Sequence, residues 1–368
     1  MSNTGVANAG SKPAVSSKPR TEYNRYVRVK VLVLIILCAG LFALAIFAIG
    51  QGSAKVSVAE IFKTFIGQGE ARSQTVVMGV RVPRVTTAIL VGATLAITGV
   101  VMQSVLKNPL ASASTLGVSN GASFGATIAI IVFSAGIQNS TSAANAISVT
   151  NPVLVSTCAF IGGIGATIII IALSRIKQVG QQGLVLAGVA LSAIFSGAST
   201  LIQYFADDVQ VAAVVFWTFG DLGSTNMKEV LIILAAFAGA FIFFMINRWN
   251  YNAMENGEET AKSLGVNVNL IMYSTMTVAA FATSIAVSYV GIISFIGLIA
   301  PHIMRRFVGN DYRFLIPTSA VAGALILLGA DSFARLIIAP IILPIGAITS
   351  FVGGPVFLWI LFKGAKRK

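Results

Sequence analysis

The chain has 368 residues, 56% of them hydrophobic and only 10% charged, with a formal net charge of +13. Soluble domains run nearer ~45–50% apolar and ~25% charged, so these charges cannot cover a water-soluble globule of this size, and a soluble enzyme is excluded. At ~20 apolar residues per bilayer crossing, the composition suffices for about ten transmembrane helices and little else.

In chain order, residues 1–28 form a polar, Ser/Lys/Pro-bearing tail that reads as disordered. The first apolar run, Val31 to Gly50, is too long for a signal-peptide core and lacks a small-x-small cleavage site, so it is expected to stay as an anchor. Cys38 follows the bulky Leu37, which argues against a lipoprotein site. Cys38 and Cys158 both lie inside apolar runs, so no disulfide framework is expected. Stretches long enough to cross a bilayer fall at 29–50, 85–106, 116–136, 152–173, 184–205, 230–246, 270–289, 292–307, 317–336 and 345–362. The segment 51–84 is too long for a turn and carries an amphipathic stretch at Val58 to Phe65. The segment 247–269 holds three of the twelve acidic residues and its own helical pattern, which makes it a candidate docking surface.

With the N-terminus inside, the inner segments hold 18 of the 25 Lys and Arg residues. Both termini are therefore expected to be cytoplasmic, in an all-α polytopic protein of a prokaryotic cytoplasmic membrane. The basic residues sit in short clusters between apolar runs. They form no basic face with interleaved aromatics, so no nucleic-acid partner is expected. Small residues recur within the spans, as at Gly92, Ala93, Ala96 and Gly99 or Gly162, Gly163 and Gly165. Helix packing is their plain reading, and together they predict a tightly packed bundle.

The chemical inventory is sparse. His302 is the only histidine, so neither a histidine metal site nor a triad can be assembled. No GxxxxGK[ST] occurs; the pairs Lys63-Thr64 and Lys262-Ser263 follow Phe62 and Ala261 where that loop needs glycine. The chain is not expected to hydrolyse ATP, nor to hold a metal or cofactor. Asp331, with Arg335 four residues on, reads as an internal ion pair near the outer end of its helix; it is also the only foothold for an ion-coupled secondary transporter. Gln103, Asn108, Asn120 and Gln203 suit a hydrated path for a bulky solute. RVPR at 81–84 sets two arginines at the outer mouth, as snorkelling side chains or as a docking point for an acidic partner. KNPLASASTLGVSNGAS at 107–123 is a polar inner turn running into a helix. ISFIGLIAPHIMRR at 293–306 ends a helix at the inner face, with Pro301 expected to kink it.

RVPR, VGATLAITGVVMQ, NPLASASTLGVSNGAS, LAGVALS, FWTFGDLGS, SLGV, GIISFIGLIAPHIMR, DSFAR and LPIGAITSFVGGPVFLWIL, in this order, resemble the FecCD-type permease family, from about residue 29 to the C-terminus. That family comprises the membrane subunits of type II ATP-driven importers for ferric siderophores, haem and cobalamin. The resemblance implies a permease domain over 29–368, with 247–269 as its coupling loop. It also implies a second permease copy or paralogue, two cytoplasmic ATP-binding-cassette ATPases and an extracytoplasmic substrate-binding protein. Carried over by position, Glu258, Ala261 and Gly265 would contact the ATPase, and Arg81, Arg84 and Arg335 would meet glutamates of the binding protein. Asn108 and Leu110, with Gln181 and Gln182, would form the inner gate, although the residue types at 181 and 182 depart from the family pattern. Helical spacing adds Ser192, Ser196 and Gln203 as candidate pathway-lining positions. Ferric siderophore is the commonest cargo of the family, with haem and cobalamin as alternatives. An ion-coupled transporter and an integral-membrane enzyme are the readings from other classes.

Overall fold

The structure, a computed structural model, describes residues 18–52, 56–135, 151–177, 180–338 and 341–365, and the regular structure among them is helical. Helix α1 (Lys18–Gly50) starts well before residue 29. The sequence boundary marks where the surroundings become apolar. The helix itself continues outward because Arg, Tyr and Lys support it adequately. Residues 1–17 of the predicted tail lie outside the described residues.

The amphipathic stretch is helix α2 (Val58–Phe65), whose first turn is capped by Ser57 Oγ accepting from the Glu60 amide. Helix α3 (Ala71–Val105) begins 14 residues ahead of the predicted span at 85. Within it, Val77–Arg81 widen into a π-turn just before Pro83. The proline ring would clash with the carbonyl four residues back, and the wider turn makes room for it.

The remaining helices are α4 (Val118–Val132), α5 (Pro152–Lys177), α6 (Gln181–Tyr204), α7 (Asp208–Phe219) and α8 (Met227–Ile246). They are followed by α9 (Arg248–Glu255), α10 (Glu258–Ser263), α11 (Val268–Val290), α12 (Ile296–Val308), α13 (Tyr312–Leu336) and α14 (Ile345–Ala365). Each of the ten apolar runs carries a helix. Among the described residues, seven helices are long and apolar enough to cross a membrane by themselves: α1, α3, α5, α6, α8, α11 and α13. The 13 residues of α12 rise only about 20 Å. The chain unwinds ahead of it, where Gly291 and Phe295 both take positive φ, 75° and 67°.

α3 is the axis of the molecule. Its most apolar 18-residue window is 89% buried, against 6% for α1 and 17% for α6. It is packed by α13, α12, α11 and α8 and touched by α1, while α4 and α5 lie against α11 with α6 outermost. A helix apolar on all sides is stable where other helices surround it.

Close approach sets this packing. A Cβ at Gly99 would overlap the backbone of Gly297, and one at Gly92 the backbone of Gly323. Gly121 meets Gly162, and Gly125 meets the Cys158 carbonyl, in the same way between α4 and α5. Such contacts replace the hydrophobic drive that lipid cannot supply. Gly165, in the same GGxG string, has nothing within 4 Å of its would-be Cβ. Gly99→Val is therefore expected to abolish a monodisperse folded species on size exclusion in detergent, whereas Gly165→Val should elute and unfold like the wild type.

Candidate functional site

Two polar clusters lie at opposite ends of α3, where Arg81 and Val105 are separated by about 36 Å of helix. At the Arg81 end, two of the three arginines singled out by the sequence, Arg84 and Arg335, meet on Asp331, which is fully buried, and all three join the same end of the bundle. Arg84 Nε and Nη2 donate to Asp331 Oδ1 at 3.0 and 2.8 Å. Arg335 Nε lies 3.0 Å from Oδ2, close enough to pair but not aligned as a hydrogen bond. The expected pair of Asp331 and Arg335 is thus present, and Arg84, 247 residues away in sequence, completes it.

The same arginines also close the end of α1. Arg81 Nη1 donates to the carbonyls of Ile49 and Gly50 at 2.9 and 3.3 Å, and Arg335 Nη1 to those of Ala48 and Gln51 at 3.2 and 3.3 Å. The last carbonyls of a helix have no partner within it, and cations are favoured at that end. Arg81 and Arg84 are buried, and Arg335 is nearly so. Sequence spacing set them at an outer mouth as candidate docking cations, but their guanidiniums are already engaged inside the protein. Asp221, the acid of FWTFGDLGS, is exposed and 4.0 Å from Arg84 Nη1, a further member to which the sequence reading gave no role.

At the other end stand α9 and α10. Among the ATPase-contact candidates, Ala261 is fully buried, and Glu258 is half-exposed and pairs with Lys262 at 3.2 Å. The solvent face of α10 is formed by Glu259, Thr260, Lys262 and Ser263. Gly265 closes the helix: its amide donates to Lys262 O and that of Val266 to Ala261 O, a Schellman closure. Its φ of +83° favours glycine for its backbone alone, since its would-be Cβ has open space.

Sequence reasoning missed what holds this element to the bundle. Glu255 accepts from Asn310 Nδ2 at 2.8 Å and from the Tyr312 hydroxyl at 3.2 Å. Asn252 Oδ1 accepts from the Tyr312 amide at 3.0 Å, and the buried Tyr251 and Tyr312 rings lie 5.6 Å apart. The only early signal was the segment 247–269, with three of the twelve acids and its own helical pattern. Burial raises the Asp311 carboxyl, but hydrogen bonds from Arg313 and Asn252 outweigh it and hold it below its ordinary value. That contribution to stability is present above pH 3.8 and is lost as pH falls through the lowered folded value.

The gate candidates occupy two places. Asn108 Oδ1 accepts from the Leu110 amide at 2.9 Å, an Asx turn directly after α3. Gln181 and Gln182 open α6. Among the described residues no hydrogen bond joins the two pairs. The later half of the 107–117 turn, in contrast, packs on α6: Gly188 lies against Thr115 and Leu116, and Gly117 against Ser192. Of the pathway candidates, Ser192 therefore faces this turn. Ser196 is exposed and Gln203 half-buried, on a helix at the edge of the chain.

A buried axial helix packed among helices long and apolar enough to cross a membrane is the build of a multi-pass membrane protein. The FecCD transport family matches residues 34–363, and the chain belongs to that family of ABC importer permeases. It is 46% identical over 346 residues to a protein named as an ABC transporter permease of Methanocaldococcus jannaschii, covering 94% of this chain and 98% of that one. It is 33% identical over 296 residues to the hemin transport system permease HmuU of Yersinia pestis, covering 79% and 84%. Among solved structures, an inward-facing metal-chelate type ABC transporter matches with a TM-score of 0.77 and 28% identity, over 90% of this chain and 99% of that one.

Removing one partner of a buried ion pair costs about 3–5 kcal/mol, because the other charge stays buried. Asp331→Asn is accordingly expected to lower the thermal unfolding midpoint in detergent by roughly 6 °C or more. A midpoint equal to that of the wild type would show that the cluster does not clamp α1, α3 and α13.

Proposed function

We propose that this chain is the permease of a metal-chelate importer, working as a dimer with a second copy or a paralogue. Its Gly265 end faces the cytoplasm and two ATP-binding-cassette ATPases, and its Arg81 end faces an extracytoplasmic binding protein. The orientation follows from the excess of Lys and Arg in the segments on the Gly265 side. Ferric siderophore is the cargo we assign. Haem is the alternative that the likeness to HmuU favours, and cobalamin shares the same chemistry of a bulky chelated metal.

The observation that carries the reading is α10. It is a short helix with an exposed polar face, anchored by buried Ala261 and closed by Gly265, projecting from an apolar bundle. A rigid element of this kind can pass a push from a nucleotide-driven partner into α12 and α13 through Glu255, Asn310 and Tyr312. The turn carrying Asn108 and Leu110, together with α6 from Gln181 and Gln182 through Ser192, Ser196 and Gln203, then forms the moving wall of the pathway. The binding protein docks on the rim shaped by Arg81, Arg84 and Arg335, whose engaged guanidiniums fix the shape of that rim instead of acting as free cations.

The test is reconstitution of the permease with its ATPase and binding protein in proteoliposomes. Gly265→Asp is expected to abolish ATP-driven uptake of a ferric siderophore while still inserting and dimerising. Wild-type uptake by that variant would reject the coupling assignment. Accumulation of solute against its gradient by the chain alone, without nucleotide, would reject the importer reading in favour of an ion-coupled transporter.

A further inference from the structure

The apolar part of α1, residues 31–50, is about 30 Å long, the thickness of the hydrocarbon core. The residues before it, Lys18 to Lys30, continue the same helix for about 20 Å more. They carry Lys18, Arg20, Arg25, Arg28 and Lys30 against a single acid, Glu22. This overhang lies against the ends of α12 and α13, with Arg313 Nη1 3.4 Å from the Tyr23 hydroxyl.

Its cations are not equivalent. Lys30 is buried, bonded to the Tyr26 hydroxyl and placed over the Tyr26 and Phe314 rings at 3.7 and 5.1 Å. Arg313 is held by Asp311. Arg25 and Arg28 are exposed, and neither has a hydrogen-bond or ion-pair partner among the described residues.

Two adjoining grooves meet at Arg25 and Val29. One, of 310 Å³, is lined by Asn24, Arg25, Arg28, Val29 and Leu32. The other, of 390 Å³, runs between α1 and the end of α12 and adds Lys30, Phe307 and Gly309. In both, the basic groups lie on the overhang, and Val29, Leu32 and Phe307, each about half exposed or more, form the apolar wall toward the bilayer core.

We infer that these grooves bind an anionic phospholipid, with the phosphate on Arg25 and Arg28 and the first part of an acyl chain along Val29, Leu32 and Phe307. A cation at headgroup level beside apolar wall is the arrangement that selects anionic over zwitterionic lipid. The long neighbouring face of α1, including Ile35 and Ile36, continues the path for the chain. The site would seat α1, the least buried of the long helices, against the bundle at the membrane surface.

The test is native mass spectrometry of the full chain released from detergent and titrated with phosphatidylglycerol or phosphatidylcholine. Wild-type protein is expected to retain phosphatidylglycerol preferentially. Arg25→Gln/Arg28→Gln is expected to weaken that retention roughly 30-fold with an unchanged thermal midpoint, since both side chains are exposed. Phe307→Ser, which leaves the charge intact, should weaken retention of phosphatidylglycerol as well. Equal retention of the two lipids, or no change in the double variant, would overturn the assignment. Displacement of phosphatidylglycerol by millimolar inorganic phosphate, together with wild-type behaviour of Phe307→Ser, would reduce the site to a free-phosphate site and overturn the lipid. Loss of ATPase co-purification in the double variant with lipid retention intact would assign the cations to the partner protein instead.

Discussion

Where α1 ends, its last carbonyls lie among packed helices and need donors from elsewhere. Arg81 and Arg335 supply them from α3 and α13, and Asp331 holds Arg335 and Arg84 in place while balancing part of their charge. An unpaired polar group costs several kcal/mol in a membrane interior, and an unpaired buried charge costs more. The cluster therefore fixes how the three helices meet, and much of the Arg81 end follows from it. The π-turn and Pro83 aim Arg81, and Gly52 and Gly223 leave the space that the guanidiniums fill.

The two ends differ in how they are held. At the Arg81 end, buried charge locks α1, α3 and α13 together. At the Gly265 end, hydrogen bonds that Asn252 and Glu255 accept from Tyr312 and Asn310 attach α9 to the turn between α12 and α13, and buried tyrosines fill the space beneath. Hydrogen bonds to partly exposed groups are worth less than a buried ion pair is to break. The Arg81 end is accordingly the costlier of the two to take apart. Between them, α3 with its glycine contacts to α12 and α13 forms a rigid shaft.

Much of this was readable from the chain. Each of the ten apolar runs met a helix, seven of them, among the described residues, long and apolar enough to cross a membrane, because a membrane helix must be apolar along its length whatever its neighbours. Periodicity found α2, and the polar composition of 247–269 marked an element standing outside the bundle. Helix ends were read poorly: α1 and α3 extend well past their apolar stretches, since polar residues can be helical where the chain leaves the core. α7, 12 residues between two longer spans, was not separated from its surroundings.

The sequence by itself determined the class of protein, the family and the residues worth attention, because hydrophobicity and local motifs are properties of neighbouring positions. Tertiary structure decided what those residues do. RVPR looks like an exposed basic signal and DSFAR like a pair closed on itself, yet folding brings Arg84 to Asp331 across 247 positions and joins the two motifs in one buried cluster. The same holds for Glu255 and Tyr312, and for the choice between Gly99 and Gly165 as the glycine that cannot change. Which partner meets a charge, and which backbone presses on a glycine, depend on distances through space that no local pattern contains.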